Sequence, residues 1–204
     1  MDWRIFHALN HQLAGQPTAQ DAVRTFNSYA IFVLAAAAVG LWLLARPGGS
    51  LRLKLATAAA GTSAVLAIVV NMILGKIWYQ DRPFVDHPTQ TVLIARHAPD
   101  NAFPSDHASV AFAIAFAVLL VAWRPGVAFL VLAIAIGFGR IFAGVHYPSD
   151  IDTSLLVGLG AAFVVVRLGQ RPLEWVVRQV SRVTDPIVAP VWRRLPRALP
   201  DRPK

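Results

Sequence analysis

The sequence contains no cysteine, which excludes disulfides and thiolate chemistry. Charge is also scarce. Charged residues fill 15% of the 204 positions, against roughly 25% in an average soluble domain. Acidic residues are the scarcer sign, 11 against 19 basic, and the formal net charge is +8. Residues 1–25 carry Asp2, Arg4, His7, His11, Asp21 and Arg24 without a continuous apolar core, so no cleavable signal peptide is expected. There is no convincing internal repeat and no low-complexity tract.

What is abundant is apolar surface: 56% of residues are hydrophobic, and the mean hydropathy is +0.53. A helix needs about 20 mainly apolar residues to cross a bilayer. Five segments meet or approach that length, near 27–45, 55–75, 107–123, 126–145 and 151–168. Small residues are dense in them, as in Ala35 to Ala38, Ala58 to Gly61 and Gly158 to Ala162, which lets helices pack closely in lipid. The expected fold class is all-α: an integral membrane helical bundle of about five transmembrane helices. Trp3, Ile5, Phe6, Leu9 and Leu13 recur at near-helical spacing. Residues 1–25 therefore read as an amphipathic helix at the membrane surface, with an ordinary packed helix as the alternative. Residues 1–168 form one membrane domain in this reading. Residues 169–204 form a basic tail whose prolines predict partly irregular structure.

Alternating spans put the loops after the second and fourth spans on one side. That side carries 6 of the Lys and Arg residues, and the other carries 13. Positively charged flanks stay in the cytoplasm. The expected orientation has the C-terminus cytoplasmic. All six histidines and eight of the eleven acidic residues then face outward. The basic excess is explained by topology rather than by nucleic acid, and the tail's arginines suit anionic lipid head groups.

Three polar islands sit at the outward ends of the apolar runs, where ionisable groups are expensive and usually functional. The first is Lys76 to Pro83. Lys76 and Arg82 repel each other unless an anion lies between them, and a phosphate suits a guanidinium fork with a point charge. Membrane-end snorkelling is the ordinary alternative. The second is Pro104-Ser105-Asp106-His107, which opens the third span. Pro, Ser and Asp are helix-start residues. A helix start is also an anion site, Ser105 adds a hydroxyl, and His107 is able to protonate a leaving oxygen. Asp106 either orients His107 or caps the helix. The third runs from Arg140 to Asp150. His146 and Asp150 are four apart, so the carboxylate is able to accept the Nδ1 proton and leave Nε2 free to attack. Arg140 supplies a further phosphate contact.

Taken together, Lys76…Arg82-Pro83, Pro104-Ser105-x-His107 and Arg140-x5-His146-x3-Asp150 resemble the type 2 phosphatidic acid phosphatase superfamily. The resemblance spans about residues 70–160. Departures are five residues rather than six between Lys76 and Arg82, Asp106 where glycine is usual, and Gly139 where serine often stands. Phe103 to Ala108, the Trp78 to Phe84 segment and His146 to Asp150 look like the bacterial branch of BcrC-type undecaprenyl-diphosphatases. That branch recycles the isoprenoid carrier of cell-wall synthesis.

The resemblance implies a lipid diphosphatase working through a phosphohistidine. His146 is the implied nucleophile, oriented by Asp150, and His107 the acid and then the base. Lys76, Arg82, Ser105 and Arg140 are the implied phosphate ligands, with Asp106 and Pro104 auxiliary. No metal and no other cofactor is implied. The expected partner is a membrane lipid: a polyprenyl diphosphate, or alternatively phosphatidic acid, phosphatidylglycerophosphate or another polyprenyl phosphate. A non-catalytic phospholipid transporter is the rival from a different class.

Overall fold

A computed structural model describes residues 2–194, and every regular element among them is helical. Helix α1 spans Asp2–Asn10 and is followed by a single 3-10 turn, His11–Leu13. Then come α2 (Pro17–Leu44), α3 (Arg52–Ile77), the short α4 (Pro83–Asp86) and α5 (Asp106–Val121). Helix α6 is Trp123–Phe142 and α7 is Pro148–Phe163, continued by a π-helical turn, Val164–Leu168. Helix α8 closes the described chain at Gln170–Arg194.

Among the described residues, four helices are long and apolar enough to cross a membrane: α2, α3, α6, and α7 with its π turn. The expected third span is the shorter apolar helix α5. With 16 residues, α5 is about 24 Å long at 1.5 Å per residue, short of the roughly 30 Å hydrocarbon core. It serves as the central post, packed on α3, α6 and α7. Protein rather than lipid covers it: Ala108, Ala111, Phe112, Ala115 and Val118 are all buried. The outer helices show large apolar side chains instead, such as Phe32, Val65, Val131 and Leu156, as helices facing lipid should. Close packing has a specific cause at Gly158 of α7. A Cβ there would stand 2.5 Å from Phe112 Cβ and 2.7 Å from the Ala113 nitrogen.

Two expectations change. The N-terminal helix does not run to residue 25. It stops at Asn10, Gly15 takes a positive φ of 71°, and Pro17 starts α2 about ten residues before the expected span. Proline suits a first helical turn because its missing N–H would have had no partner there. One face of α1 packs on the bundle, with Phe6 buried against Ile141 and Tyr147.

The tail is also more regular than its prolines suggested. Helix α8 passes through Pro186 and Pro190. It is held to the bundle by Lys54, which is buried and pairs with Asp185 while donating to Ser181 Oγ at 3.2 Å. Trp42 Nε1 donates to Thr184 Oγ1 at 3.2 Å, and the Gly48 N–H to Asp185 Oδ2 at 3.1 Å. These ties offset the hydrogen bonds that proline removes. Residues 195–204 of the tail lie outside the described residues.

Candidate active site

The C-terminal ends of α3 and α6 meet the N-terminal ends of α5 and α7 at one end of the bundle, and the three polar islands converge there. Arg82 lies just before α4, extended at φ −77°, ψ 152° because Pro83 begins that helix. Its side chain is 5% exposed and fully engaged. Nη1 donates to the Val145 carbonyl at 2.9 Å and to His146 Nε2 at 3.2 Å. Nε donates to Asp100 Oδ1 at 2.9 Å, and Nη2 to the Asn101 carbonyl at 3.3 Å.

His146 sits in the turn between α6 and α7. That turn depends on Gly144, whose φ of 82° favours glycine and where a Cβ would lie 2.6 Å from the Val92 carbonyl oxygen. Asp150 follows in the first turn of α7. Its Oδ2 accepts the Tyr147 N–H at 2.8 Å and lies 3.3 Å from His146 Nδ1. The pair is buried, with side chains 4% and 0% exposed. A carboxylate on Nδ1 selects the tautomer with the lone pair on Nε2, the nitrogen that faces Arg82. Burial holds the His146 imidazole well below its usual range, and the nearby Arg140 and Arg82 charges push in the same direction.

Four buried polar atoms around this pair have no hydrogen-bond partner among the described residues: Arg140 Nε and Nη2, Ser105 Oγ and Asp150 Oδ1. Buried groups of this kind are normally satisfied. Arg140, near the end of α6, spends only Nη1, on Asn27 Oδ1 at 3.3 Å. Asn27 in turn donates to the Gly139 carbonyl at 2.9 Å, anchoring α2 to α6 at this point. Ser105 occupies the N-cap position of α5, yet its hydroxyl makes no capping bond. The arrangement thus holds a neutral histidine, two guanidinium groups and a hydroxyl at a helix start. This is a site able to take a tetrahedral anion.

The other expected residues take varied places. Pro104 is buried beneath the start of α5, and His107 is half-buried on its first turn. Asp106 makes no hydrogen bond to His107 among the described residues; its Oδ1 accepts from Asn71 Nδ2 at 2.8 Å, and Asn71 Oδ1 accepts from Ser109 Oγ at 3.1 Å. It ties α5 to α3. Lys76 is exposed at the end of α3 and makes no ion pair among the described residues. No group of three or more His, Asp and Glu able to hold a metal occurs among them either.

Asn101 is not singled out in the sequence, whereas His97 and Asp100 read there as part of a solvated outer loop able to shape the entrance for a diphosphate head group. Asn101 organises the loop by donating to the Gly75 and Trp78 carbonyls at 3.0 and 2.9 Å and accepting from the Gln80 and Phe103 N–H groups. Asp100 pairs with Arg82 at 2.9 Å. His97 lies with its ring centroid 6.4 Å from that of His146. Their only sequence signal is polarity in a loop, which most loops share.

The family model described as "PAP2 superfamily" matches residues 56–173, which takes in all three islands. The chain is 32% identical over 191 residues to undecaprenyl-diphosphatase BcrC of Bacillus subtilis, covering 92% of this chain and 94% of that one. It is 44% identical over 108 residues to the bacitracin transport permease protein BcrC of Bacillus licheniformis, covering 50% and 52%. The crystal structure of Aquifex aeolicus LpxE has a similar fold, with a TM-score of 0.66 at 22% identity over 81% of this chain and 94% of that one. The chain belongs to the PAP2 superfamily.

Proposed function

We propose that this PAP2-superfamily membrane lipid phosphatase converts undecaprenyl diphosphate, or a close polyprenyl relative, to the monophosphate and phosphate. The observation that carries the reading is the buried His146–Asp150 pair beside unspent donors on Arg140 and Ser105. Similarity over nearly the whole length of an undecaprenyl-diphosphatase supports the choice of substrate.

In the proposed reaction His146 Nε2 attacks the terminal phosphorus, and the bond from phosphorus to the bridging oxygen breaks. His107 gives its proton to that leaving oxygen. Water, relieved of a proton by His107, then attacks the phosphorus and releases phosphate from the ring nitrogen. Arg82, Arg140 and Ser105 hold the equatorial oxygens, whose charge is most spread in the transition state. Lys76 joins them once a phosphate draws its flexible side chain inward. Asp106 and Pro104 serve indirectly, by fixing the start of α5. No step needs a metal.

The site faces outward in this proposal, and the C-terminus is cytoplasmic. Support comes from the 13 to 6 division of Lys and Arg between the two sides of the topology read from the sequence. The membrane domain is 1–168. In the tail, Arg171, Arg178 and Arg182 are exposed on α8 and suit anionic lipid head groups. Pure transport is disfavoured because a binder of phosphate needs cations but not a histidine oriented by a carboxylate.

The test is the purified protein in detergent, without added metal, given polyprenyl diphosphate, phosphatidic acid and phosphatidylglycerophosphate. Phosphate release fastest from the diphosphate is expected. Equal or faster release from the glycerolipids would reject the substrate, and release from none would reject the activity.

A further inference from the structure

A diphosphate brings more charge to the site than its terminal phosphate alone, and burial indicates the direction from which it arrives. The floor of the site is closed: Arg82, Arg140, His146, Asp150 and Ser105 are each 4% exposed or less. The rim is open, and His97 stands on it with its side chain 27% exposed. A lipid phosphate entering from the rim puts its terminal phosphate on the floor, so its second phosphate halts at rim height.

His97 is held there by contacts on one edge of its ring. Nδ1 lies 3.3 Å from the Ala98 carbonyl oxygen and 3.6 Å from Asp100 Oδ1. Asp100 is itself pinned by Arg82 at 2.9 Å, and Arg82 reaches His146 Nε2 at 3.2 Å. The rim histidine and the floor histidine are therefore connected through one carboxylate and one guanidinium. Their rings meet edge to face at 76° with centroids 6.4 Å apart. His97 Nε2 makes no hydrogen bond among the described residues, so it is available to a ligand. Position 97 also lies outside the three islands that mark the shared phosphate chemistry, in the loop between the first and second.

We infer that His97 is a specificity-determining residue that binds the second, lipid-linked phosphate of a diphosphate substrate through Nε2, and so favours diphosphates over monophosphates. The inference rests on the diphosphatase reading above. A monophosphate on the floor has no oxygen at rim height and gains nothing from His97. Both neighbours of Nδ1 are acceptors, so Nε2 donates only from the protonated ring, which the negative charge of the second phosphate favours; a diphosphate then gains a hydrogen bond from Nε2–H to a charged oxygen.

The experiment compares full-length wild type, His97→Ala and His97→Gln, purified in detergent, on farnesyl diphosphate and farnesyl monophosphate. For His97→Ala, kcat/KM on the diphosphate should fall about tenfold, the usual scale for a hydrogen bond to a charged group. The monophosphate rate should stay within about twofold. His97→Gln, which keeps a donor at similar reach, should recover part of the loss. Equal losses on both substrates, or no loss on either, would overturn the assignment of His97 while leaving the diphosphatase reading intact. A wild type that cleaves the monophosphate and not the diphosphate would overturn both.

Discussion

Arg82 Nη1 donates to Nε2 of His146 across 3.2 Å, so a buried cation covers the lone pair proposed to attack phosphorus. The same guanidinium is tied to Asp100 and to two backbone carbonyls. It therefore fixes the His146 ring in place, and in the proposed reaction a bound phosphate competes with the ring for its donors. Arg82→Lys keeps the charge and loses the fork. Its kcat/KM should drop about a hundredfold, the scale of removing a preorganised transition-state donor. Steady-state kinetics on the diphosphate check this, and a loss below about threefold would contradict the assigned role.

The pH profile follows from the same contacts. Burial first, then Arg140 and Arg82, holds the His146 imidazole below its usual 6.5. A histidine with a lowered pKa stays neutral, and nucleophilic, down through that value and is lost only at lower pH. The His146-dependent acid limb of kcat/KM should thus lie below 6.5. Removing a neighbouring cation favours the protonated ring, so Arg82→Ala should move that limb upward. Movement downward would contradict the electrostatic account.

Asp150 accepts the Tyr147 N–H at 2.8 Å as well as facing His146 Nδ1 at 3.3 Å. Asp150→Asn keeps the shape and removes the charge that selects the tautomer. An activity loss of about 10²–10⁴-fold is expected, by analogy with carboxylates that orient catalytic histidines elsewhere. Thermal unfolding measured in parallel should change far less than the rate does.

Asp106 gives the opposite prediction. Its Oδ1 is spent on Asn71, which is bonded to Ser109. Asp106→Ala should cost about 1 kcal/mol of stability, the usual net worth of a hydrogen bond. Turnover should stay within about threefold, because the carboxylate is bonded to Asn71 and makes no hydrogen bond to His107 among the described residues. A large fall in kcat with unchanged stability would show instead that it acts on His107.

Much of this site was legible in the sequence, for a physical reason. Ionisable residues at the ends of apolar runs are too costly to be incidental, and Arg140, His146 and Asp150 lie close in the chain, so spacing alone indicated their geometry. Partners far apart in sequence were not legible. Nothing in residues 70–75 shows that Asn71 reaches across 35 positions to Asp106. Polarity in the loop from 87 to 105 marked His97 and Asp100 no more than their solvated neighbours. Packing was not legible where remote contacts decide it. Hydropathy does not distinguish burial by lipid from burial by protein, so the short third span gave no sign of the central place of α5. The tail reads as partly irregular because its prolines are local, while Lys54, Trp42 and Gly48, which hold α8, are remote.

The clamp under α8 is testable by itself. Lys54 is buried and its partner Asp185 is partly exposed, with side chains 3% and 24% accessible. Asp185→Ala leaves the ammonium without its carboxylate. It should destabilise by about 2 kcal/mol, less than the roughly 3–5 kcal/mol of a fully buried pair. Lys54→Met combined with Asp185→Leu should recover most of the loss, since an apolar pair leaves no buried charge. Detergent-phase unfolding temperatures compare the variants, and a double variant no better than Asp185→Ala alone would refute the clamp.

The most direct measurement on the central claim is rapid quenching of the metal-free enzyme with diphosphate carrying radiolabel in its terminal phosphate. The account predicts a labelled protein whose phosphate is lost in acid and kept in alkali, as expected of a phosphoramidate, on the peptide containing His146. The label should be missing from His146→Ala. Full turnover by His146→Ala, or label found on another residue, would contradict it.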